Sequence, residues 1–376
     1  MALQSTINHP LEFILRLFGI WPSSRYRVLK SIVWTLLLLT FLVFQYWYFI
    51  SHLKSTDLTD LLDGLSLTLS NNLVLLKLIV IWFHNRTFCD ILTSMLEDWN
   101  CPSLGEKKQI MIHKANLSSR ITNVLFTYYF VSFVLYAGIT VALLREDNDG
   151  TQTRKFFIKM VFPFDVTTSL LYSLILVLQF VLECILAFAA AMFMALIATL
   201  ILHVGSQVEI FCQTLTEVPI YSGKDESRVL IFKDLVSRHQ RIITLSENIQ
   251  NMFKYISLGQ FLSNMMVIGF SSNMEQGSVV IMKCFPYYVA VNCEAFILCY
   301  TGQYLSEKSD DITEVVYDSL WYELNPREAR IILLVIMRSQ KQLKLTVAQF
   351  TTLSLQAFAN MLKASASYVS LLLAVY

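Results

Sequence analysis

Seven mostly apolar stretches, each long enough to cross a bilayer, constrain this chain more than any motif does. A spanning helix needs ~20 predominantly apolar residues, and in hydrocarbon it must satisfy every backbone polar group internally. The stretches are 31–53 ("SIVWTLLLLTFLVFQYWYFISHL"), 61–83, 121–144, one beginning near 167, 250–272, 278–303 and 348–375. The fourth stays apolar from Thr167 to about Val204. At 1.5 Å per residue that is ~57 Å, well beyond the ~30 Å hydrocarbon core. It must therefore tilt, bend or continue into water inside a helical bundle.

Composition agrees. Of 376 residues, 55% are hydrophobic and only 15% charged, where a soluble domain carries ~25% charge. The chain reads as an all-α, polytopic membrane protein. A net charge of +1 gives no pull toward nucleic acid. The seven Cys contain no CxxC pair, so neither a disulfide framework nor a zinc site is expected. The six His are scattered at 9, 52, 84, 113, 203 and 239, and no Gly-rich phosphate loop is present. No catalytic set, metal site or cofactor is expected. The first 30 residues carry Arg16, Arg25, Arg27 and Lys30 without an uninterrupted apolar core, so no cleavable signal peptide is expected.

Lys and Arg set the orientation. The N-terminus and the expected loops 84–120, 205–248 and 304–347 hold 20 of the 29. Lys54, Arg145, Arg154, Lys155 and Lys159 lie on the other side, and Lys77, Lys254, Lys283 and Lys363 fall within the apolar stretches. Positive segments stay cytoplasmic, which predicts a cytoplasmic N-terminus, an extracellular C-terminus and a last helix that ends at the outer face. This is the reverse of a G-protein-coupled receptor. No Cys lies in 145–166, no Asp-Arg-Tyr follows the third stretch, and "NPREA" (325–329) is not Asn-Pro-x-x-Tyr. The sequons at Asn85 and Asn116 fall on the predicted cytoplasmic side, where neither would carry sugar.

Segment 304–347 predicts helices outside the bilayer. Leu305, Ile312, Val316, Leu320 and Leu324 recur at near-helical spacing, with Asp310, Asp311, Glu314 and Asp318 on other faces. Asn325, Pro326 and Glu328 form a helix-start signature with a capping box. The run Ile331–Met337 is too short to span, so in water it must be buried. These helices, the inner end of helix four and a 227–248 helix are expected to form a cytoplasmic anchor bundle carrying subunit contacts.

The last stretch carries Gln356, Asn360, Lys363, Ser367 and Ser370 at spacings of 4, 3, 4 and 3, which is one stripe of a helix. Polar residues at membrane depth must face protein or water. Lining a shared water path and hydrogen bonding to neighbouring helices of the same subunit both satisfy that, and the stripe alone leaves both open.

The segment "LWYELNPREARIILLVIMRSQKQLKLTVAQFTTLSLQAFANMLKASASYVSLLL" (320–373) resembles the C-terminal signature of insect odorant receptors. The markers are Trp321-Tyr322, Arg338 with Gln340-Lys341, Leu345-Thr346, Phe350, Ser354-Leu355, Phe358 and Ser367-Tyr368. "CYTGQYLSEKSDDI" (299–312) and "FPFD" (162–165) are similar to further family features. Two positions depart: Gln342 where members often have Pro, and Ala348 where they often have Gly, which bears on backbone geometry at that hinge. The related gustatory receptors end on Thr-Tyr, five apolar residues and Gln-Phe. The matching positions here are Ser367, Tyr368, Ala374 and Val375, which depart from that pattern at all but Tyr368. Only about 40 residues separate helices four and five, fewer than in the family's shared co-receptor, so the chain looks like a ligand-tuning subunit.

The resemblance implies an odorant-gated, non-selective cation channel with four subunits, including co-receptor subunits, around a central pore. A gustatory-type ligand-gated channel and a seven-helix G-protein-coupled receptor are the alternatives. It implies a multi-pass protein of the plasma membrane, in the dendrites of olfactory sensory neurons. Residues 1–303 would hold the first six spanning helices and the ligand pocket, 304–347 the anchor helices, and 348–376 the pore helix. Gln356, Asn360 and Ser367 would line the pore, and Leu371 and Val375 match the hydrophobic gate, where apolar rings block ions by dewetting. Lys363 would repel the permeant cation, so it is expected to turn aside and pair with Glu294 or Glu183. A small volatile organic ligand would bind among helices two to six in an aromatic, mostly dry cavity. The expected contacts are Leu69, Asn72, Leu73, Phe130, Phe133, Tyr136, Tyr172, Gln179, Phe285 and Tyr288.

Overall fold

The computed structural model describes residues 6–53, 58–148, 156–164, 169–217, 225–271, 278–348 and 350–375. Helices dominate: α1 (His9–Leu17), α2 (Arg27–His52), α3 (Leu58–Phe83), α4 (Asn85–Asn100), α5 (Lys108–Asn148), α6 (Ser169–Glu217), α7 (Asp225–Ser271), α8 (Ser278–Asp318), α9 (Pro326–Ser339) and α10 (Leu355–Val375). Two short strands, β1 (Thr346–Val347) and β2 (Thr351–Thr352), pair antiparallel just before α10. The seven predicted stretches all fall on helices, namely α2, α3, α5, α6, α7, α8 and α10. Among the described residues, α2, Gly105–Ala142 and Leu170–Glu217 are each long and apolar enough to span a membrane, and Leu67–Phe83 and α4 reach that length and hydropathy only together, across a 72° bend. The fold is that of an all-α, multi-pass membrane protein.

α6 is the axis of the molecule. Every residue from 189 to 208 is buried, because α1, α3, α5, α7 and α8 all pack against this helix. This resolves the excess length of the fourth stretch: α6 runs on beyond the bilayer thickness as the centre of a bundle. α1 covers it with the fully buried Leu11 and Leu15. Polar contacts lock the same end. The His203 ring lies 3.1 Å from Thr6 Oγ1 through Nδ1 and 3.0 Å from Asp98 Oδ2 through Nε2. Trp99 Nε1 donates to Thr6 Oγ1 at 2.9 Å, and Arg241 pairs with Asp98 at 3.0 Å.

Several boundaries differ from the sequence reading. Segment 84–120 is not a loop: α4 lies across the end of α3, burying Phe88, Ile91, Leu92, Met95 and Trp99 on one stripe, and α5 begins at Lys108. The 227–248 and 250–272 helices are one continuous α7. Residues 303 and 304 lie inside α8, which continues through the amphipathic stretch and buries Leu305, Ile312 and Val316. Leu320 is exposed, because the helix has ended at Asp318. α9 begins with the expected capping box between Asn325 and Glu328 and with Pro326 in its first turn. The last helix begins at Leu355 rather than 348, since the β1–β2 hairpin occupies 346–352.

That hairpin is held by α7. Gln250 Oε1 accepts the Thr346 N–H at 2.8 Å, while its Nε2 donates to Thr346 Oγ1. The Ala348 N–H donates to the Lys254 carbonyl at 3.3 Å, and the Phe350 N–H closes the turn onto the Val347 carbonyl at 2.9 Å. Ala348 sits at φ +44°, the left-handed region that favours Gly. The family's Gly at this position thus has a physical reason, and this chain meets the same turn with a Cβ.

Candidate functional site

Three helices each offer one face to a common cavity of about 100 Å³. From α3 come Leu67, Ser70, Asn71 and Val74; from α5, Tyr129, Ser132, Phe133 and Tyr136; from α6, Glu183, Leu186, Ala187 and Ala190. Each set follows the i, i+3, i+4, i+7 rhythm of one helical face. α8 adds Ala290, Val291 and Glu294, and the segment ahead of α6 adds Phe157. The walls are mainly aliphatic and aromatic with a few polar groups, as small-molecule sites are. The volume is of the order of the ~150 Å³ apolar cavity that accepts benzene.

Phe157 arrives through a specific anchor. Gln179 Nε2 donates to the Ile158 carbonyl, and its Oε1 accepts the Ile158 N–H, both at 3.2 Å. A buried side-chain amide thus satisfies both backbone groups of a residue outside regular structure, as a buried loop requires. Phe157 then meets Tyr136 and Phe180, with ring centroids 6.0 and 6.3 Å apart.

Two acids line the cavity in different states of satisfaction. Glu294 has both oxygens engaged: Oε2 pairs with Lys77 Nζ at 2.7 Å and Oε1 accepts from the Tyr129 hydroxyl at 2.6 Å. Lys77 is 0% exposed, and its ammonium lies 5.8 Å from the Phe193 ring centroid. Glu183 accepts from Asn71 Nδ2 at 2.7 Å.

Of the ten expected contacts, Phe133 and Tyr136 line the cavity. Leu69, Asn72 and Leu73 lie on α3 next to the lining positions but on another face, and Asn72 donates to the Tyr46 hydroxyl. Phe130 is exposed and stacks on Phe188. Tyr172 packs against Phe156 at 5.4 Å, and Gln179 holds Ile158. Phe285 is exposed, and Tyr288 accepts at its carbonyl from Asn292 at 2.8 Å. α7 supplies none of the described lining residues. Sequence reasoning passed over Asn71, Tyr129 and Phe157, although the repeated i, i+3, i+4, i+7 pattern of small, polar and aromatic residues could have pointed to the first two.

On α10, Met361 and Ser365 are buried and Phe358 packs on Phe296 at 5.6 Å, which fixes the inner face of the helix. Gln356, Asn360, Lys363 and Ser367 are all exposed. Their described hydrogen bonds stay within the helix: Gln356 Nε2 to Asn360 Oδ1 at 3.1 Å, and Ser367 Oγ to the Lys363 carbonyl at 3.0 Å. The expected pairing of Lys363 with Glu294 or Glu183 is therefore corrected. Lys77 and Tyr129 occupy Glu294, Asn71 contacts Glu183, and the exposed Lys363 pairs with neither. The side chains of Ser370, Leu371 and Val375 lie outside the described residues.

The sequence model described as 7tm Odorant receptor matches residues 57–366. Odorant receptor 24a of Drosophila melanogaster is 23% identical, over 97% of this chain and 97% of its own length. Odorant receptor 22c of the same fly is 30% identical over 37% of this chain and 35% of its own. Among solved structures, the insect olfactory receptor OR5 from Machilis hrabei aligns with a TM-score of 0.79 at 19% identity, covering 97% of both chains.

Proposed function

The chain belongs to the insect odorant receptor family, and from that premise we propose that it is a ligand-tuning subunit of an odorant-gated, non-selective cation channel. The observation that carries the reading is the division of α10. One face, with Met361 and Ser365, packs into its own subunit, while the polar Gln356, Asn360 and Ser367 are exposed. Polar side chains at membrane depth need water or protein, and a pore shared with neighbouring subunits supplies water. Co-receptor subunits would complete a tetramer, with α9, the inner parts of α6, α7 and α8, and the β1–β2 hairpin as the anchor region.

A small volatile would bind in the cavity between α3, α5, α6 and α8. Its binding would bias the packing of these helices, and α10 would move through its contacts with α7 and α8. Leu371 and Val375 would form the dewetting gate. The Lys and Arg bias supports a cytoplasmic N-terminus and an extracellular C-terminus, in the plasma membrane of olfactory neuron dendrites.

The test is current recording from cells expressing the chain with and without a co-receptor, across an odorant panel. Odorant-evoked cation current that needs both subunits is expected, and Leu371→Ser is expected to raise current without ligand. A chain that yields no odorant-evoked current with any co-receptor, although it reaches the cell surface, would overturn the reading.

A further inference from the structure

We propose that the cavity selects small volatiles carrying a hydroxyl group, an alcohol or a phenol, through a hydrogen bond to the Glu183 carboxyl. This rests on the reading of the cavity as the odorant site and specifies what it binds.

The two acids in the wall are not equivalent. Glu294 is filled by Lys77 and Tyr129, one partner on each oxygen. Glu183 is 7% exposed, lines the cavity, and takes one hydrogen bond among the described residues, from Asn71 to Oε1. No ion pair among the described residues involves Glu183. A carboxyl group has room for about four hydrogen bonds, and a buried polar group left short of partners is costly. The cavity is where a further partner can reach it: its wall also carries the Ser70, Ser132 and Tyr136 hydroxyls, yet among the described residues Asn71 alone is hydrogen-bonded to Glu183.

A hydroxyl suits this group in either protonation state. It donates to the ionised carboxylate, and with the neutral acid it can both donate and accept. An ether has no donor and leaves the ionised carboxylate as unsatisfied as before. The apolar remainder of the cavity takes the hydrocarbon part, and its size limits that part to a short chain or one small ring.

The experiment uses isomer pairs that differ in the donor and not in formula: benzyl alcohol against anisole, and 1-pentanol against butyl methyl ether. Binding to the purified full-length chain, in complex with co-receptor in lipid nanodiscs, is read as ligand-dependent thermal stabilisation. Each alcohol is expected to reach half-maximal stabilisation at a concentration at least about 10-fold below its ether, as one hydrogen bond to a charged group implies. Glu183→Met is expected to abolish that preference while anisole still binds. Equal affinity within both pairs, stabilisation by neither member, or a preference that survives in Glu183→Met overturns the proposal. The wild-type ratio stands as a test even where the variant does not fold. Currents evoked by the same four compounds separate the two levels. Equal gating by alcohol and ether defeats the hydroxyl preference and leaves the odorant-gated reading standing. Alcohol-selective binding without current at any concentration defeats the channel reading and leaves the hydroxyl site.

Discussion

Lys77 on α3 and Glu294 on α8 form an ion pair with Nζ and Oε2 2.7 Å apart, both side chains buried. The Tyr129 hydroxyl of α5 donates to the other Glu294 oxygen at 2.6 Å. Three helices are thereby tied together at the edge of the candidate ligand cavity. A buried ion pair gives little net stability over well-packed apolar residues, because desolvation offsets the Coulomb gain. Its asymmetry is what matters: either partner alone is a buried, uncompensated charge.

Lys77→Met or Glu294→Leu alone is therefore expected to destabilise the protein by about 3–5 kcal/mol. The double variant is expected to recover most of that loss, since two apolar groups replace two charges. Tyr129→Phe removes one hydrogen bond to a charged group, about 1.5–3 kcal/mol. Thermal unfolding of the detergent-purified proteins, arranged as a double-mutant cycle, checks this. Additive losses in the double variant would show that Lys77 and Glu294 do not act as a pair.

Ala348 holds φ at +44° in the turn between β1 and β2. A side chain in the left-handed region costs about 1–2 kcal/mol, whereas Gly loses about 0.4–1 kcal/mol more backbone entropy on folding than Ala. The strain is the larger, so Ala348→Gly is expected to stabilise the protein by roughly 0.5–1 kcal/mol. A small rise in melting temperature is the expected reading, and a fall would mean that the turn relaxes away from positive φ.

Periodicity and length made the membrane helices legible, because a spanning helix must be apolar along most of its length. The capping box at Asn325 and Glu328 was equally plain, since it is a local signal. The cavity was harder to read. Aromatic content drew attention to Phe130, Tyr172 and Phe285, which face outward or pack locally. The cavity instead uses one face of each helix, including the small Ser70, Ser132 and Ala187. Choosing the face needs the rotation of each helix against its neighbours, and no single helix encodes that. The partner of Glu294 was misread for a similar reason: Lys77 and Lys363 both fall within apolar stretches, and only the packed structure puts Lys77 rather than Lys363 beside Glu294. α4 was within reach, since Phe88, Ile91, Leu92, Met95 and Trp99 keep helical spacing, but its polar face disguised it as a loop.

Gly302 on α8 lies against the backbone of Leu353, just before α10. An added Cβ would overlap the Leu353 carbonyl and its side chain. Ala is a better helix former than Gly by about 0.8–1.0 kcal/mol, but a rigid overlap with backbone costs about 1–3 kcal/mol. Gly302→Ala is therefore expected to be destabilising on balance and to loosen the seat of α10. Faster amide exchange at Leu353, whose N–H donates to the Leu345 carbonyl at 2.8 Å, is the specific signature. Unchanged exchange there together with higher stability would show that α8 and the hairpin separate without cost.

His239 on α7 stacks on Phe211 of α6, ring centroids 5.3 Å apart. Burial, aided by the nearby Arg338 cation, holds its pKa down to about 4 from the usual 6.5. The imidazole is thus neutral in the folded protein while the unfolded chain takes up a proton below pH 6.5. Between pH 6.5 and 4 the unfolded state binds more protons, so stability falls as the pH falls through this window. From the two pKa values the loss at pH 5 relative to pH 7.5 is about 2 kcal/mol from this residue. Acidification to pH 5 is expected to lower the melting temperature of the wild-type protein. His239→Gln, which does not titrate, should show a clearly smaller drop over the same range. An equal drop in both proteins would assign the acid sensitivity to other groups and place His239 in water in the folded state.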